Sequence, residues 1–205
     1  MILLLAKKTN IKIGSLGLLG LIAILTMILN TSVIQKQRDY EKAGNVLSDR
    51  DKIWNVSIEA AKYYPAFGLG ISNWHFIKIE DLKKSVESRN EVFEPKKYSI
   101  QYGHSHNLFL TILVERGWVG FSIFIFFMNA WIFALIKSYK QTKMDHGFGV
   151  VWAGALSACL GTFGIGLVNT TMHHEHGILS WLLLGLFLNY LLNKKSQSRP
   201  KKIQN

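Results

Sequence analysis

Residues 118–136, WVGFSIFIFFMNAWIFALI, carry no charged side chain, and their reading decides the fold. About 20 apolar residues at about 1.5 Å rise cross a hydrocarbon core of about 30 Å, so this stretch is long enough to span a bilayer. Three further runs resemble it: Ile13–Asn30, Phe148–Val168 and Gly177–Leu192. One such run can be a buried core helix, but four in 205 residues exceed what a soluble surface of this size can cover. The expected fold class is all-α: an integral membrane helical bundle of about four transmembrane helices with one large extracytoplasmic helical loop. The fourth run is short and needs flanking residues to span.

The charges agree with this reading. Lys plus Arg number 24 against 13 Asp plus Glu, a net charge of +11 in a chain that is 49% hydrophobic. That hydrophobicity excludes general disorder. The cations are dispersed among apolar blocks rather than gathered in a patch, so no nucleic-acid partner is expected. Lys7, Lys8 and Lys12 flank the first run, and Lys137, Lys140 and Lys143 fill the gap between the second and third. Lys194, Lys195, Arg199, Lys201 and Lys202 form the tail. In a four-span chain all three groups fall on one side, which the positive-inside rule makes cytoplasmic. Asp145 is the single acid there, so the remaining sequence is nearly neutral.

The expected division is a cytoplasmic N-terminus and first span over 1–30, a large extracytoplasmic loop over 31–107, spans two to four over 108–192, and a basic cytoplasmic tail over 193–205. The start MILLLAKKTNIK rivals a signal peptide, but no small-x-small cleavage site follows Leu29, so an uncleaved anchor is read. Cys159, the single cysteine, excludes an intrachain disulfide and a Cys-based zinc site. Lying in an apolar run, it reads as an inert buried thiol.

Within the loop, Ser48-Asp49-Arg50-Asp51 opens a helix, with Ser48 as cap and Asp51 three residues on as in a capping box. The helix runs to about Tyr63 and stops before Pro65. Trp54, Ile58 and Ala61, with Ile53, Val56 and Ala60, form a broad face for the membrane surface or the other helices. Arg50 sits in its first turn. Pro65-Ala66-Phe67-Gly68-Leu69-Gly70 is a turn-rich connector in which Gly68 and Gly70 permit positive φ or close backbone approach. Ile77–Arg89 reads as a charged, solvated face. Gly103-His104-Ser105-His106-Asn107 then leads into LFLTILVERGWVG, with Asn107 as cap and His106 on one helix face with Leu110, Leu113 and Gly117. Glu115 and Arg116 interrupt the apolar pattern, where a charge is costly unless paired, facing a polar cavity or snorkelling to headgroups.

Ser48-Asp49-Arg50 with Trp54, Pro65-x-x-Gly68-x-Gly70 with Asn73, and His106-Asn107-x-x-Leu110 with Glu115-x-Gly117-x-x-Gly120 appear in that order. The set resembles the outer loop and following helix of the O-antigen ligase and polymerase superfamily, from about Ser48 to Gly120. The resemblance implies the C-terminal half of a GT-C-like fold. It implies a bacterial inner-membrane glycosyltransferase that moves a glycan from an undecaprenyl-diphosphate carrier to an acceptor hydroxyl, on a lipid A core sugar or a growing polysaccharide. It implies no metal and no cofactor. Arg50 corresponds to an arginine contacting the diphosphate and His106 to a histidine activating the acceptor. His104, Asn107, Glu115 and Arg116 are the further substrate-binding candidates. Family chains carry more spans ahead of this loop, so a missing N-terminal half or a partner subunit is an expected partner alongside membrane lipids.

The chemistry suits those residue types. Displacing a diphosphate builds negative charge, which an always-charged arginine fork stabilises across two oxygens. A neutral imidazole can take the proton of an attacking hydroxyl. The alternative class is a noncatalytic membrane protein, either a degenerate remnant or a histidine-dependent metal-binding component. His173-His174-Glu175-His176, together with His104 and His106, invites a zinc or copper reading that its spacing does not specify. Gly154, Gly161, Gly164 and Gly166 are expected to permit close helix packing.

Overall fold

The computed structural model describes residues 21, 24–26, 35, 36, 38, 39, 42, 49–100, 103–172 and 174–197, the side chains of 174, 175 and 194–197 excepted. The first expected span, Ile13–Asn30, lies largely outside the described residues, as do Ser48, His173 and the end of the tail. All regular structure among the described residues is helical: α1 (Arg50–Tyr63), α2 (Ile79–Glu87), α3 (Leu108–Ser138), α4 (His146–Cys159) and α5 (His174–Gln197), with short 3₁₀ turns between. Three helical stretches are long and apolar enough to cross a membrane, Leu108–Lys143, His146–Gly164 and His176–Asn193. The chain is an all-α membrane protein. Its described part forms two compact units, one of 49–128 with Gly166–Thr170, the other of Asn129–Ile165 with the residues from Thr171 onward.

In the first unit, α1 stops where expected, because Pro65 disfavours helical geometry at the residue before it. Its start differs from the expected capping box. Asp49 is the capping residue, in left-handed geometry (φ 61°), and its side chain makes no capping bond. The carboxylate instead accepts from Lys52 at 2.6 Å. Ile53, Val56 and Ala60 pack with Trp74, Ile77, Leu82 and Val114 in a core. The apolar face of α1 is thus turned into its own unit, while Ile58, expected on that face, is 44% exposed.

The stretch read as a solvated face is partly core. α2 buries Leu82, Ser85 and Val86, and its end is tied to α1 through Glu59, only 4% exposed. The Glu59 carboxylate pairs with Arg89 at 2.7 Å and accepts from Ser85 Oγ and Lys62 Nζ, each at 3.2 Å. A buried carboxylate is tolerable because its lone pairs are filled in this way.

α3 begins at Leu108, as the Asn107 cap predicts, ten residues ahead of the charge-free run, and it breaks at Gly117 (φ 61°, ψ −169°). The break removes the helical bonds from Trp118 to Val114 and from Val119 to Glu115. The Pro65–Gly70 connector bonds these four groups. Leu69 and Gly70 donate their N–H groups to Val114 O (2.8 Å) and Glu115 O (2.9 Å). Pro65 O and Ala66 O accept from Trp118 (2.8 Å) and Val119 (3.2 Å). Polar backbone on both sides of the break is thereby bonded beside an apolar span. Gly68 (φ 70°) lies so close that a Cβ there would sit 2.5 Å from Val114 O.

In the second unit, Asp145 caps α4 by accepting from Phe148 N–H at 3.1 Å. Asp145 also accepts from Tyr190 Oη at 3.2 Å. The third span ends at Gly164, short of the expected Val168, after a π-helical turn at Leu160–Gly164. Thr171 Oγ1 donates to Thr162 O at 2.5 Å, and Thr162 and Ser180 hydroxyls lie 2.7 Å apart. α5 extends beyond the expected 177–192, and its 24 residues supply the length the fourth run lacked. Gly154 fits the close-packing expectation, since a Cβ there would meet Leu183 at 3.4 Å. Gly161 and Gly164 face open space.

Candidate functional site

The site is built from one stripe of α1 and the loop ahead of α3. Arg50, Trp54 and Ser57 are spaced at i, i+4 and i+7, so they share a helix face. Trp54 Nε1 donates to Ser105 O at 3.1 Å. Ser57 Oγ lies 2.9 Å from Ser105 Oγ and 2.9 Å from Ile53 O. A hydroxyl has one proton, so when Ser57 donates to Ile53 O, Ser105 donates to Ser57. Both serines are fully buried. The residue between the two candidate histidines is thereby fixed to α1.

The next residues fix the other side of His106. Asn107 caps α3, its Oδ1 accepting from Leu110 N–H at 3.0 Å, and its Nδ2 donates to Leu167 O at 2.8 Å. Leu108 N–H donates to Gly166 O at 2.7 Å. Between these anchors His106 takes a left-handed backbone (φ 48°), uncommon outside glycine and asparagine. Its ring lies 4.2 Å from the His104 ring, centroid to centroid, at 54°.

Burial holds His106 below the ordinary histidine pKa of 6.5, and His104 and then the Arg50 guanidinium push it the same way. All three causes disfavour the protonated ring. His106 is therefore neutral at neutral pH, and Arg50 is near enough for its charge to act on it.

The structure thus brings Arg50, His104, His106 and Asn107 together. Glu115 and Arg116 stand apart, about 12 Å along α3 from Asn107 at 1.5 Å per residue. The Glu115 carboxylate accepts from Ser72 N–H at 3.0 Å, stabilising a turn in which Ser72 has φ 59°. Arg116 is exposed. Of the second histidine cluster, His176 is exposed at the start of α5, and the side chains of His174 and Glu175 lie outside the described residues with His173. Ser57 and Ser105 are missing from the sequence-based candidates. The signal for Ser57 is its place on the Arg50–Trp54 stripe.

A family model described as O-antigen ligase matches residues 1–125 of the 205, a range that holds α1, the connector, the histidine loop and the break in α3. The chain belongs to the O-antigen ligase family. Neither the curated proteins nor the solved structures give a match. Membership, with the three apolar helices, gives a membrane protein of the O-antigen ligase and polymerase type. Within this ligase-family chain, Ser57→Ala is expected to destabilise the first unit by about 1–3 kcal/mol, because Ser105 Oγ loses its buried partner. Thermal unfolding of the purified variant against wild type reads this directly.

Proposed function

We propose that the chain carries the acceptor-activating loop of an inner-membrane glycosyltransferase, which transfers a glycan from undecaprenyl diphosphate to an acceptor hydroxyl on the extracytoplasmic side. The observation that carries this reading is the loop of His104 and His106, pinned through Ser105 to the helix that holds Arg50, with His106 partly buried between its anchors. His106 takes the proton from the acceptor hydroxyl as its oxygen forms the new bond to the anomeric carbon. The bond from that carbon to the diphosphate breaks, and undecaprenyl diphosphate leaves with the electron pair. Arg50 binds the charge developing on the departing phosphate oxygens. His104, beside His106, and Asn107, next in sequence, border the acceptor. Glu115, which accepts from Ser72 N–H, and the exposed Arg116 lie outside this group.

The positive-inside distribution supports the orientation, with 31–107 outside and the Lys137–Lys143 segment in the cytoplasm. The acceptor classes that fit are a lipid A core sugar and a growing polysaccharide. Glycan transfer from an undecaprenyl-diphosphate-linked donor tests the assignment. Arg50→Ala is expected to lower transfer by roughly 10–150-fold, the equivalent of about 1.5–3 kcal/mol for a charge-assisted bond. Arg50→Lys should recover part of it, since an ammonium keeps the charge and loses the fork. Full transfer by Arg50→Ala at a normal membrane level sinks the role.

A further inference from the structure

The connector between α1 and α2 exposes large apolar side chains. Phe67 is 76% exposed, Ile71 64% and Phe76 56%. Trp118, whose N–H is bonded to Pro65 O, is 55% exposed. Isolated exposed apolar residues need no explanation, but this group belongs to one short segment fastened to the break in α3.

The break marks a level in the membrane. From Gly117 to Ser138, α3 continues for about 22 residues, roughly 33 Å at 1.5 Å per residue, the thickness of a hydrocarbon core. Lys137, Lys140 and Lys143 stand at its far end. The opposite boundary therefore falls near Gly117 and Trp118, where the connector is hydrogen-bonded to the helix. Below Trp118 the exposed apolar surface continues along α3 through Ile123 and Phe126. That continuity favours lipid over a second protein as the occupant. α1 cannot supply this contact, because its apolar face is spent on the core of its own unit.

We propose that connector 65–76 is seated in the interfacial layer of the bilayer, on the side opposite Lys137, Lys140 and Lys143, with Phe67, Ile71 and Phe76 among the acyl chains and Trp118 at headgroup level. Aromatic rings suit that layer, where an apolar body meets a polar edge. The inference stands independently of the glycosyl-transfer reading, since it concerns where the unit sits and not what it converts.

Spin labels test it in phosphatidylethanolamine and phosphatidylglycerol vesicles. In a Cys159→Ala background, nitroxides are placed at Phe67→Cys, Ile71→Cys and Phe76→Cys, with Val92→Cys as a reference 85% exposed after α2. The three connector labels should favour collision with oxygen over a water-soluble nickel chelate, severalfold more than the Val92→Cys label. Equal nickel accessibility at all four sites puts the connector in water and overturns the proposal. Spin–spin broadening that disappears on dilution with unlabelled protein puts a second copy there and also overturns it. Wild-type protein supplies a check without substitution: a lipid-soluble carbene reagent should modify Phe67 and Phe76 and spare Val92, and the reverse pattern defeats the proposal.

Discussion

His106→Ala is expected to lower glycan transfer by about 10²–10⁴-fold, the usual contribution of a positioned general base, while the protein stays in the membrane at its normal level. His106→Asn is the sharper variant. Asparagine accepts the left-handed backbone seen at φ 48°, so the turn survives while the base is lost. Both variants should be similarly inactive, and retained transfer in either removes His106 from the mechanism. The pH profile carries a second signature. The base must be neutral, and burial, His104 and Arg50 all lower its pKa from 6.5. The acid limb of kcat/KM should therefore lie below pH 6.5. His104→Gln removes one of the influences that disfavour protonation, so the His106 pKa rises and the limb moves to higher pH. A limb that stays in place, or moves down, contradicts the assignment.

Gly117→Ala is expected to destabilise the first unit by about 4 kcal/mol or more, among the largest effects a single substitution has. At φ 61° and ψ −169° the residue occupies a region that is essentially glycine's alone. A Cβ would also collide with Ala66 O and C and lie 2.6 Å from Gly68 N. Backbone cannot rotate out of the way as a side-chain tip can. The collision is repaired by parting the connector from α3, which leaves their four shared hydrogen bonds unmade. Gly161→Ala and Gly164→Ala are the controls, since a Cβ at either meets nothing within 4 Å. They should be neutral or gain up to about 1 kcal/mol from helix propensity. Thermal unfolding with proteolysis of the outer loop separates the two groups, and a Gly117→Ala protein as stable as wild type shows the break to be dispensable.

The parts of this protein legible in its sequence are those governed by local rules. Charge-free runs gave spans two to four, Pro65 fixed the end of α1, and Asn107 read as a cap and is one. Gly68 and Gly70 announced positive φ, which both have. The misreadings share a cause, in that contacts between distant segments decide them. The face of α1 was open between membrane and protein until α2 and Val114 covered it. Ile77–Arg89 looked solvated because Glu59, the partner that draws Arg89 in, lies 30 residues away. Arg50 and His106 were readable as candidates through family resemblance, and His104 through its place two residues from His106. Their juxtaposition was not, because it depends on Ser57 and Ser105, two unremarkable serines 48 residues apart.

The backbone splice between the connector and the broken helix also sets which parts of the molecule can move. With Leu69 and Gly70 donating into α3 and Pro65 and Ala66 accepting from it, the segment beside the membrane cannot swing as a flap without rupturing four bonds together. A sequence of Pro and Gly that ordinarily marks a mobile hinge here behaves as part of the span, and its amides should exchange with deuterium as slowly as those of a helix interior. The stretch after α2, exposed at Val92, is held instead by Phe93 and Tyr98 packing on the core and by Asn55 Nδ2 donating to Lys97 O.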